Sequence, residues 1–416
     1  MKIGLIIIGD ELLSGSTQDC NMLYLGEKLR SLGYKLNACQ VIQDEIEVIK
    51  KSLAQALKEN DITICSGGLG PTIDDRTKAA LSAFLGVELE DSPHARKLAL
   101  EHYQRRSLNW YPELNNYHMI PAGVQAYFNP KGLAPGLLLK KNHQQLLCAP
   151  GVPREFQSMV DHFFDSLLEN KNNAARNYFT IRTNGIPEEQ IFNKKCPNLW
   201  QTLSQFGNIS SYPRMSGIDI VISDLKMTST EVEEKLTTLP ELEPIRNHVW
   251  HLGNGNIQEL IIEQAKKHNI TISTAESCTG GLMAHLLTEV SGSSQVFFGS
   301  VVSYDNSVKK NILGVTQDNL DNFGAVSLEV AQQMASGVRN QMNTTYSVST
   351  SGIAGPLGGS EEKPVGTVAI AIEGPSGLHS KIYQIPPIFD RDEMKKRFAS
   401  RALISLFKQM KKDLSA

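Results

Sequence analysis

One octet, Thr274-Ala275-Glu276-Ser277-Cys278-Thr279-Gly280-Gly281, joins a predicted strand to a predicted helix. The apolar run before it, residues 270–273, is typical of a strand. The apolar residues after it recur at helical spacing: Leu282, Met283, Leu286, Leu287 and Val290. Ser277 is therefore expected in a strand-to-helix turn, where glycine lets a ligand approach the backbone. The free N–H groups at residues 278–280 and the helix dipole would stabilise a phosphate or an oxyanion there.

The composition is typical of a globular protein with two or three domains, because 416 residues exceed one ordinary core. A formal net charge of −3 gives no whole-chain attraction to nucleic acid or to an anionic membrane. No apolar run approaches the roughly 20 residues of a membrane span, and residues 2–8 predict a buried strand rather than a signal peptide. Six scattered cysteines without CxxC spacing predict reduced thiols in the cytoplasm.

The alternation of apolar strands and helical stretches predicts an α/β protein with three parts. Residues 1–165 are expected to form a three-layer domain, with a parallel or mixed sheet between helices. Residues 166–252 predict a small α+β module that serves as a linker or a dimerisation surface. Residues 253–416 predict a second α/β domain, which ends in a long helix opened by Asp390.

Four polar or glycine-rich segments of the last domain follow or open predicted elements: residues 274–281, 303–310, 349–367 and 389–397. They are expected to converge at one end of a sheet, where ligand crevices form in α/β domains. Ser277 is the candidate nucleophile, and the absence of histidine from these segments argues against a Ser-His-Asp triad. Lys309 and Tyr304 are then its available partners, provided that burial or nearby cations lower the lysine pKa. Arg391 is a candidate phosphate ligand.

A purely structural role would explain the same residues. Ser277 or Thr279 would cap the helix, and the glycines would serve the turn. Taken singly, Lys309 and Arg391 are typical of solvated surface charges, and Asn306 is typical of a turn.

The N-terminal domain has two loops of its own at strand ends, residues 9–15 and 66–75. The Gly-Gly-x-Gly pattern in the second loop lets backbone amides approach phosphate or pterin-like anions. The candidate ligands for a divalent metal are the carboxylates of Asp10, Glu11, Asp74 and Asp75. A diphosphate held between such a metal and the glycine loop would be placed for hydrolysis. Alternatively, Thr72 and Asp75 nearly form a capping box for a helix that begins at about Ile73.

The motifs of the last domain resemble the CinA family. The matching segments are AESCTGG, GSVVSYDNSVKKNILGV, GAVSLEVAQQMA and GIAGPLGGSEEKPVGTV, which cover most of residues 256–372. The domain is similar to the family's nicotinamide mononucleotide deamidase domain, which implies amide hydrolysis to nicotinate mononucleotide and ammonia without a cofactor. The resemblance implies Ser277 as nucleophile, and Tyr304 and Lys309 as its activating partners. The implied substrate-binding residues are Thr279, Gly280, Ser351, Gly352 and Arg391, with Ser351 where the family usually has threonine.

The first domain resembles the molybdopterin-binding-like domain of the same family, through GDELLSG, GGLGPTIDDRT, GLAPG and APGVPREF. This resemblance implies hydrolysis of ADP-ribose with a divalent metal, Mg²⁺ or Co²⁺. The nucleotide-binding residues would be Gly67, Gly68, Gly70 and Thr72. The chain departs from the family at Cys20, where threonine is usual, and at residues 115–118, where a basic Arg-Lys pair is usual. Loss of those cations would weaken phosphate binding.

The leading hypothesis is a homodimeric, cytoplasmic enzyme of pyridine nucleotide recycling that acts on nicotinamide mononucleotide and, with its first domain, on ADP-ribose. A second hypothesis is a module that binds molybdopterin or a nucleotide without turnover. A third, suggested by the family's link to competence, is a DNA-uptake or repair factor. The densest basic run, residues 395–397, is more typical of a solvated helix face than of a nucleic-acid site. We therefore expect neither a nucleic-acid nor a membrane partner.

Overall fold

The computed structural model of the chain describes residues 1–168 and 178–415. The chain divides into two compact units, Met1–Tyr178 and Phe179–Ala416. The predicted middle and C-terminal parts thus belong to one unit. The predicted boundary at residue 165 lies inside a helix, Pro153–Leu168. Residues 169–177, near the start of the predicted middle module, lie outside the described residues.

The first unit has a six-stranded sheet with helices on both faces, as predicted. Its elements are β1 Ile3–Ile8, α1 Asp10–Leu13, α2 Asn21–Ser31, β2 Leu36–Ile42, α3 Ile46–Glu59, β3 Ile62–Ser66, α4 Thr77–Leu85, β4 Leu89–Asp91, α5 Pro93–Gln104, α6 Pro112–Asn115, β5 Met119–Pro121, β6 Gln125–Tyr127, β7 Gly136–Lys141, β8 Gln144–Ala149 and α7 Pro153–Leu168. The strand order is β2-β1-β3-β8-β7-β6. The strands β2, β1, β3 and β8 are parallel to one another, and β7 and β6 are antiparallel to their neighbours.

Alternation along the central strands builds two cores in this unit. Ile6 and Ile8 of β1 pack with α3 and α4 on one face of the sheet. Ile3, Leu5 and Ile7 pack with α2 and α7 on the other face. A strand whose side chains are buried on both faces is typical of a parallel sheet covered by two helical layers. The predicted three-layer architecture is confirmed.

The elements from residue 178 onward are β9 Tyr178–Thr183, α8 Leu199–Leu203, β10 Asn208–Arg214, β11 Gly217–Ser223, α9 Ser229–Thr237, β12 Val249–Leu252, α10 Ile257–Lys267, β13 Ile272–Glu276, α11 Leu282–Thr288, β14 Phe297–Val302, α12 Asn306–Leu313, α13 Gln317–Phe323, α14 Leu328–Met342, β15 Tyr346–Gly352, β16 Thr367–Gly374, β17 Gly377–Gln384 and α15 Arg391–Leu414. A π-helix, Gln190–Lys195, and two 3₁₀ helices, Pro240–His248 and Ser293–Gln295, complete the set. The first four of these strands form the sheet β10-β11-β9-β12, with a core of its own. The predicted α+β character of the middle part is therefore confirmed.

The C-terminal sheet has the order β14-β13-β15-β16-β17. The strand β13 is parallel to β14 and to β15, whereas β16 and β17 are antiparallel to their neighbours. Helices α10, α11 and α15 pack on one face, and α12 and α14 on the other. Because β13, β14 and β15 run in the same direction, the loops that follow them leave the sheet at one edge. No helix in the described part of the chain is long and apolar enough to cross a membrane.

The structure shifts two predicted boundaries around the octet. The strand β13 begins at Ile272 rather than residue 270 and continues through Glu276, because Glu276 still pairs with Val302 and with Thr350. The helix α11 ends at Thr288, so Val290 lies beyond it. Ser277 is the first residue after the strand, as the strand-to-helix turn predicted.

Candidate functional site

A pocket of about 270 Å³ lies where β13, β14 and β15 end. All four segments that were predicted to converge contribute to it. Its lining residues are Ser277, Cys278, Tyr304, Asn306, Lys309, Ala325, Val326, Ser351, Gly352, Ile353, Ala354, Leu357, Gly358 and Arg391. The three predicted catalytic residues thus border one cavity.

Ser277 is held by the turn that follows β13. Its N–H donates to the carbonyl of Thr350 at 2.9 Å, and its carbonyl accepts from the N–H of Gly280 at 3.1 Å. Its side chain lines the pocket although the residue is only 9% exposed. In the described part of the chain, the amides of Cys278 and Thr279 donate no hydrogen bond. Since Cys278 also lines the pocket, its amide is the candidate donor to an oxyanion.

The N-terminus of α11 is occupied from inside the protein by the carboxylate of Glu276. Glu276 is fully buried. Its Oε2 accepts from the N–H groups of Gly281 and Met283, each at 3.0 Å, and its Oε1 accepts from Ala284 at 2.8 Å. These are the donors that a helix leaves unsatisfied at its start, and they favour negative charge. The amides of Gly281, Met283 and Ala284 are therefore already taken, and of the predicted donors at residues 278–280 the Cys278 amide stays the candidate for an oxyanion.

Lys309 is a buried lysine, only 1% exposed. Its Nζ donates to the carbonyl of Ser303 at 2.8 Å and to that of Tyr304 at 3.1 Å. Burial is the largest influence on its pKa and lowers it, while the nearby Asp305 carboxylate opposes the change. An uncharged amine is therefore easier to form at Lys309 than at a solvated lysine.

Tyr304 and Arg391 form the exposed rim of the pocket. Tyr304 is 64% exposed, and its hydroxyl accepts from Arg391 Nη2 at 2.8 Å. Arg391 Nη1 donates to the carbonyl of Gly355 at 2.5 Å. Both partners are neutral, so these contacts fix the guanidinium without neutralising its charge.

The predicted substrate-binding residues are only partly in the pocket. Ser351 and Gly352 line it, and the Ser351 hydroxyl donates to the carbonyl of Ala325 at 2.6 Å. Thr279 and Gly280 are not among the lining residues. Thr279 is fully buried, and its hydroxyl lies 2.8 Å from that of Thr350. That hydroxyl serves the turn rather than the cavity.

Sequence reasoning assigned no site role to several lining residues. They comprise one amide and an apolar wall: Asn306, Ala325, Val326, Ile353, Ala354 and Leu357. Asn306 directly follows the Asp305 cap of α12, so a turn role was the simpler interpretation. The apolar residues lie in the loops before α14 and after β15. The signal that could have identified them is the occurrence of apolar side chains in loops, where polar residues are more usual.

The first unit contains a larger cleft, of about 440 Å³. It is lined by Ile8, Glu11, Asp44, Gly67, Gly68, Leu69, Gly70, Pro71, Asp74, Asp75, Arg106, Tyr117, Leu133, Ala134, Pro150, Gly151, Val152 and Glu155. Gly67 and Gly68 have φ values of +113° and +66°, and a Cβ would collide with the Ile8 carbonyl and with the Thr77 side chain. Glycine is therefore required at both positions.

Asp75 closes the glycine loop instead of capping a helix. Its carboxylate accepts from the N–H of Gly70 at 2.7 Å, from the N–H of Thr72 at 2.8 Å and from the Thr72 hydroxyl at 2.5 Å. The helix α4 begins only at Thr77, so the capping box for a helix at Ile73 is wrong. Thr72, predicted to bind nucleotide, is absent from the cleft lining, and its hydroxyl donates to Asp75.

The predicted four-carboxylate metal site does not form. Glu11, Asp74 and Asp75 line the cleft and Asp10 does not. Within residues 1–168 and 178–415, no group of three or more His, Cys, Asp or Glu side chains is arranged to hold a metal ion. Both oxygens of Asp75 are engaged in its own loop. The residues present therefore do not fit the metal that the resemblance implies.

Asp44 is a further cleft carboxylate that sequence reasoning missed. Its pKa rises to about 6 through burial first, and then through Asp10, Glu11, Asp75 and Asp74. Its Oδ1 is buried without a hydrogen-bond partner. Like charges therefore repel one another on this side of the cleft.

Comparison with known proteins covers nearly the whole chain. Residues 254–410 match the family model described as CinA C-terminal domain, and residues 4–170 match the one described as Probable molybdopterin binding domain. A CinA-like protein of Salinibacter ruber is 35% identical over 97% of this chain and 98% of that protein. A CinA-like protein of Fervidobacterium nodosum is 35% identical over 95% of this chain and 96% of its own length. The crystal structure of competence/damage inducible protein CihA from Agrobacterium tumefaciens is 41% identical, covers 37% of this chain and 94% of its own, and has a TM-score of 0.35. The chain belongs to the CinA family.

Proposed function

We propose that this protein hydrolyses the carboxamide of nicotinamide mononucleotide, releasing ammonia and nicotinate mononucleotide. The observation that carries the proposal is the single pocket bordered by Ser277, Lys309, Tyr304 and Arg391. A hydroxyl, a buried amine and a guanidinium thus meet beside an apolar wall. These groups suit an amide on an aromatic ring that also carries a phosphate.

In the proposed reaction, the Ser277 hydroxyl attacks the carboxamide carbon and loses its proton to a base. The carbon–nitrogen bond then breaks, ammonia leaves with an added proton, and an acyl ester remains on Ser277. Water hydrolyses that ester, which frees the nicotinate carboxylate and restores the hydroxyl. Splitting one difficult step into two easier ones is the benefit of a covalent nucleophile.

Lys309 is the proposed base, because burial favours its uncharged form. The contacts to the carbonyls of Ser303 and Tyr304 hold its amine in place. Tyr304 would assist proton movement from the rim. The Cys278 amide would stabilise the oxyanion, and Arg391 would hold the phosphate with its planar fork of donors.

Ammonia release from nicotinamide mononucleotide by the full chain tests this proposal. We expect turnover by the wild-type protein and a loss of at least about a thousandfold in kcat for Ser277→Ala, since a covalent nucleophile is removed. Binding of nicotinate mononucleotide should persist in that variant. Ser360→Ala, an exposed serine outside the pocket lining, is the control and should keep wild-type kcat. Wild-type turnover in Ser277→Ala would contradict the assignment.

The cleft in the first unit gives less support to ADP-ribose hydrolysis. Its lining holds five carboxylates and a single guanidinium, that of Arg106. That charge repels a diphosphate unless a cation intervenes. Incubation of the full chain with ADP-ribose and either Mg²⁺ or Co²⁺ tests the activity. Metal-dependent release of AMP would establish it.

A further inference from the structure

We propose that Arg397 and Arg401 of α15 form a binding site for a small phosphate anion outside the pocket bordered by Ser277. Neither arginine is among the lining residues of that pocket, so this site is independent of the proposed function. Both guanidiniums are half-buried, both pack against an aromatic ring, and both lack a carboxylate partner.

The two residues, called the arginine pair below, lie on one face of α15. They are four residues apart, so their side chains are neighbours on the helix surface. At 3.6 residues per turn, Arg397 and Arg401 point about 120° and about 80° away from Arg391 around the helix axis. The arginine pair therefore faces a different side of the helix from the guanidinium that borders the pocket.

Aromatic rings fix the positions of both guanidiniums. The Cζ of Arg397 lies 3.5 Å from the centroid of the Phe389 ring, and that of Arg401 lies 4.8 Å from the centroid of the Tyr383 ring. Lys381 adds a third cation, with its Nζ 5.4 Å from the same Tyr383 ring. Contacts of this kind orient a cation over a ring but leave its charge in place.

The charge of the arginine pair is not compensated within the protein. The Nε atoms of Arg397 and Arg401 are buried without a hydrogen-bond partner, and neither guanidinium forms an ion pair within residues 1–168 and 178–415. Burial is the largest influence on the pKa of both side chains and lowers it, while the Glu393 carboxylate opposes the change at Arg397. Burying a charge without a counter-charge is costly. A bound anion would supply the missing partner.

Arg401 also lies where the middle α+β part packs on the C-terminal part. Its Nη2 is 2.7 Å from the position that a Cβ on Gly185 would occupy, and Gly185 has a φ of +71°. Glycine is therefore needed there to make room for the guanidinium. Lys408 donates to the Asn247 carbonyl at 3.0 Å, and burial first and then Arg401 lower its pKa. An anion on Arg401 would thus reduce repulsion between cations at this boundary.

The chemistry of the arginine pair favours a small anion with several negative charges. Two planar forks of donors, one helical turn apart, can each take oxygens of a phosphate group, which a single carboxylate would not satisfy. A nucleic-acid strand fits less well, because its bases stack on free aromatic faces. The rings of Phe389 and Tyr383 already pack against cations. A diphosphate matches the site best.

Inorganic pyrophosphate is the probe for the test. It is titrated by calorimetry into the full-length protein without divalent metal, at an ionic strength held constant with chloride. Arg397→Met and Arg401→Met should each weaken binding about tenfold, as expected for the loss of a charge-assisted hydrogen bond. Lys396→Met is the matched control on α15, because Lys396 already pairs with Asp392 at 2.6 Å, and it should stay within twofold of wild type. Arg391→Met should also stay within twofold.

Urea unfolding with and without pyrophosphate shows whether the variants fold and whether the anion binds the folded state. Pyrophosphate should stabilise the wild-type protein and not Arg401→Met. Equal stabilisation of both, or no binding by the wild-type protein, would overturn the site. An equal loss of affinity in Arg391→Met and Arg401→Met would also overturn it, since the anion would then lie in the pocket. A single-stranded oligonucleotide that displaced pyrophosphate and bound at least tenfold more tightly would overturn the assignment to a small anion.

Discussion

The C-terminal pocket and the N-terminal cleft share an architecture and differ in charge. Each lies where parallel strands end, beside a loop in which glycines have positive φ. In the described residues that line the pocket, Lys309 and Arg391 carry charge and no carboxylate does. The cleft is lined by five carboxylates and one guanidinium. The same edge of an α/β sheet can thus attract a nucleotide anion or repel it, and the lining side chains decide which.

The largest predicted effect on activity is at Lys309, one of the two cations that distinguish the pocket from the cleft. Lys309→Met removes the titratable amine and should lower kcat for ammonia release by about a thousandfold, the range of general-base catalysis. Lys309→Arg keeps the charge but not a base, and should lose nearly as much. Lys310→Met is the control, because Lys310 is exposed and its amine donates to the Gln317 side chain at 3.3 Å, away from the pocket lining. If Lys309→Arg kept more than a tenth of the wild-type kcat, the base would be another group.

The carboxylate of Glu276 lies next to the pocket, but its charge is compensated by three backbone N–H groups at the start of α11. It therefore does not neutralise the cations of the pocket. Glu276→Gln should destabilise the protein by about 3 kcal/mol, because an amide N–H₂ would then face backbone N–H groups. Urea unfolding measures this loss. Glu289→Gln, at the other end of α11, is the control, since that exposed carboxylate pairs with His285 and should contribute less than about 0.5 kcal/mol. Unchanged stability with an altered KM for nicotinamide mononucleotide would instead mean that Glu276 faces the ligand.

The sequence predicted where Ser277 lies but not what Glu276 does. Strand and helix periodicity located the turn, and the parallel strands that alternation predicted bring the four segments together. Glu276 reaches N–H groups five to eight residues ahead only because Gly280 and Gly281, at φ +61° and +94°, fold the turn back over it. No local periodicity encodes that tertiary path. For the same reason the apolar wall of the pocket, from loops far along the chain, was missed.

In the first unit, the buried first strand and the glycine loop were predicted correctly, whereas the role of the Thr-x-x-Asp motif was not. A capping box and a closed loop use the same residue types at the same spacing. The structure selects the loop, because Asp75 bonds back to Gly70 and Thr72 and delays α4 until Thr77. Carboxylate spacing alone likewise could not show that Asp44 lines the cleft and that Asp10 does not.

Asp75→Ala tests whether this carboxylate is a loop closure or a metal ligand. Loss of its hydrogen bonds to a partly exposed loop should cost about 2 kcal/mol in urea unfolding. The cost should be the same with and without Mg²⁺. Asp74→Ala, an exposed neighbour, should change stability by less than about 0.5 kcal/mol. If Mg²⁺ stabilised the wild-type protein but not Asp75→Ala, a metal would be bound through Asp75. The cleft would then differ less in charge from the C-terminal pocket.

The smallest predicted effect is the pH dependence that Asp44 gives to stability. Its pKa of about 6 in the folded protein exceeds the ordinary value of 3.8, so the folded state binds its proton more tightly than the unfolded chain does. The contribution is favourable at low pH and is lost as the pH rises from about 4 to about 6. Asp44→Asn removes this loss, so the variant should be more stable than wild type above pH 6 and equal to it at pH 4.

Urea unfolding of both proteins between pH 4 and pH 8 measures this difference, with Glu47→Gln, an exposed carboxyl on α3, as the control. The carboxylates of Asp10, Glu11, Asp74 and Asp75 add to the effect of burial in opposing ionisation of Asp44, so a cation bound among them would lower its pKa. Added Mg²⁺ should therefore leave the advantage of Asp44→Asn intact if the cleft holds no metal. If Mg²⁺ abolished that advantage, the negative cleft would be a cation site, and its repulsion of nucleotides would end when the cation binds.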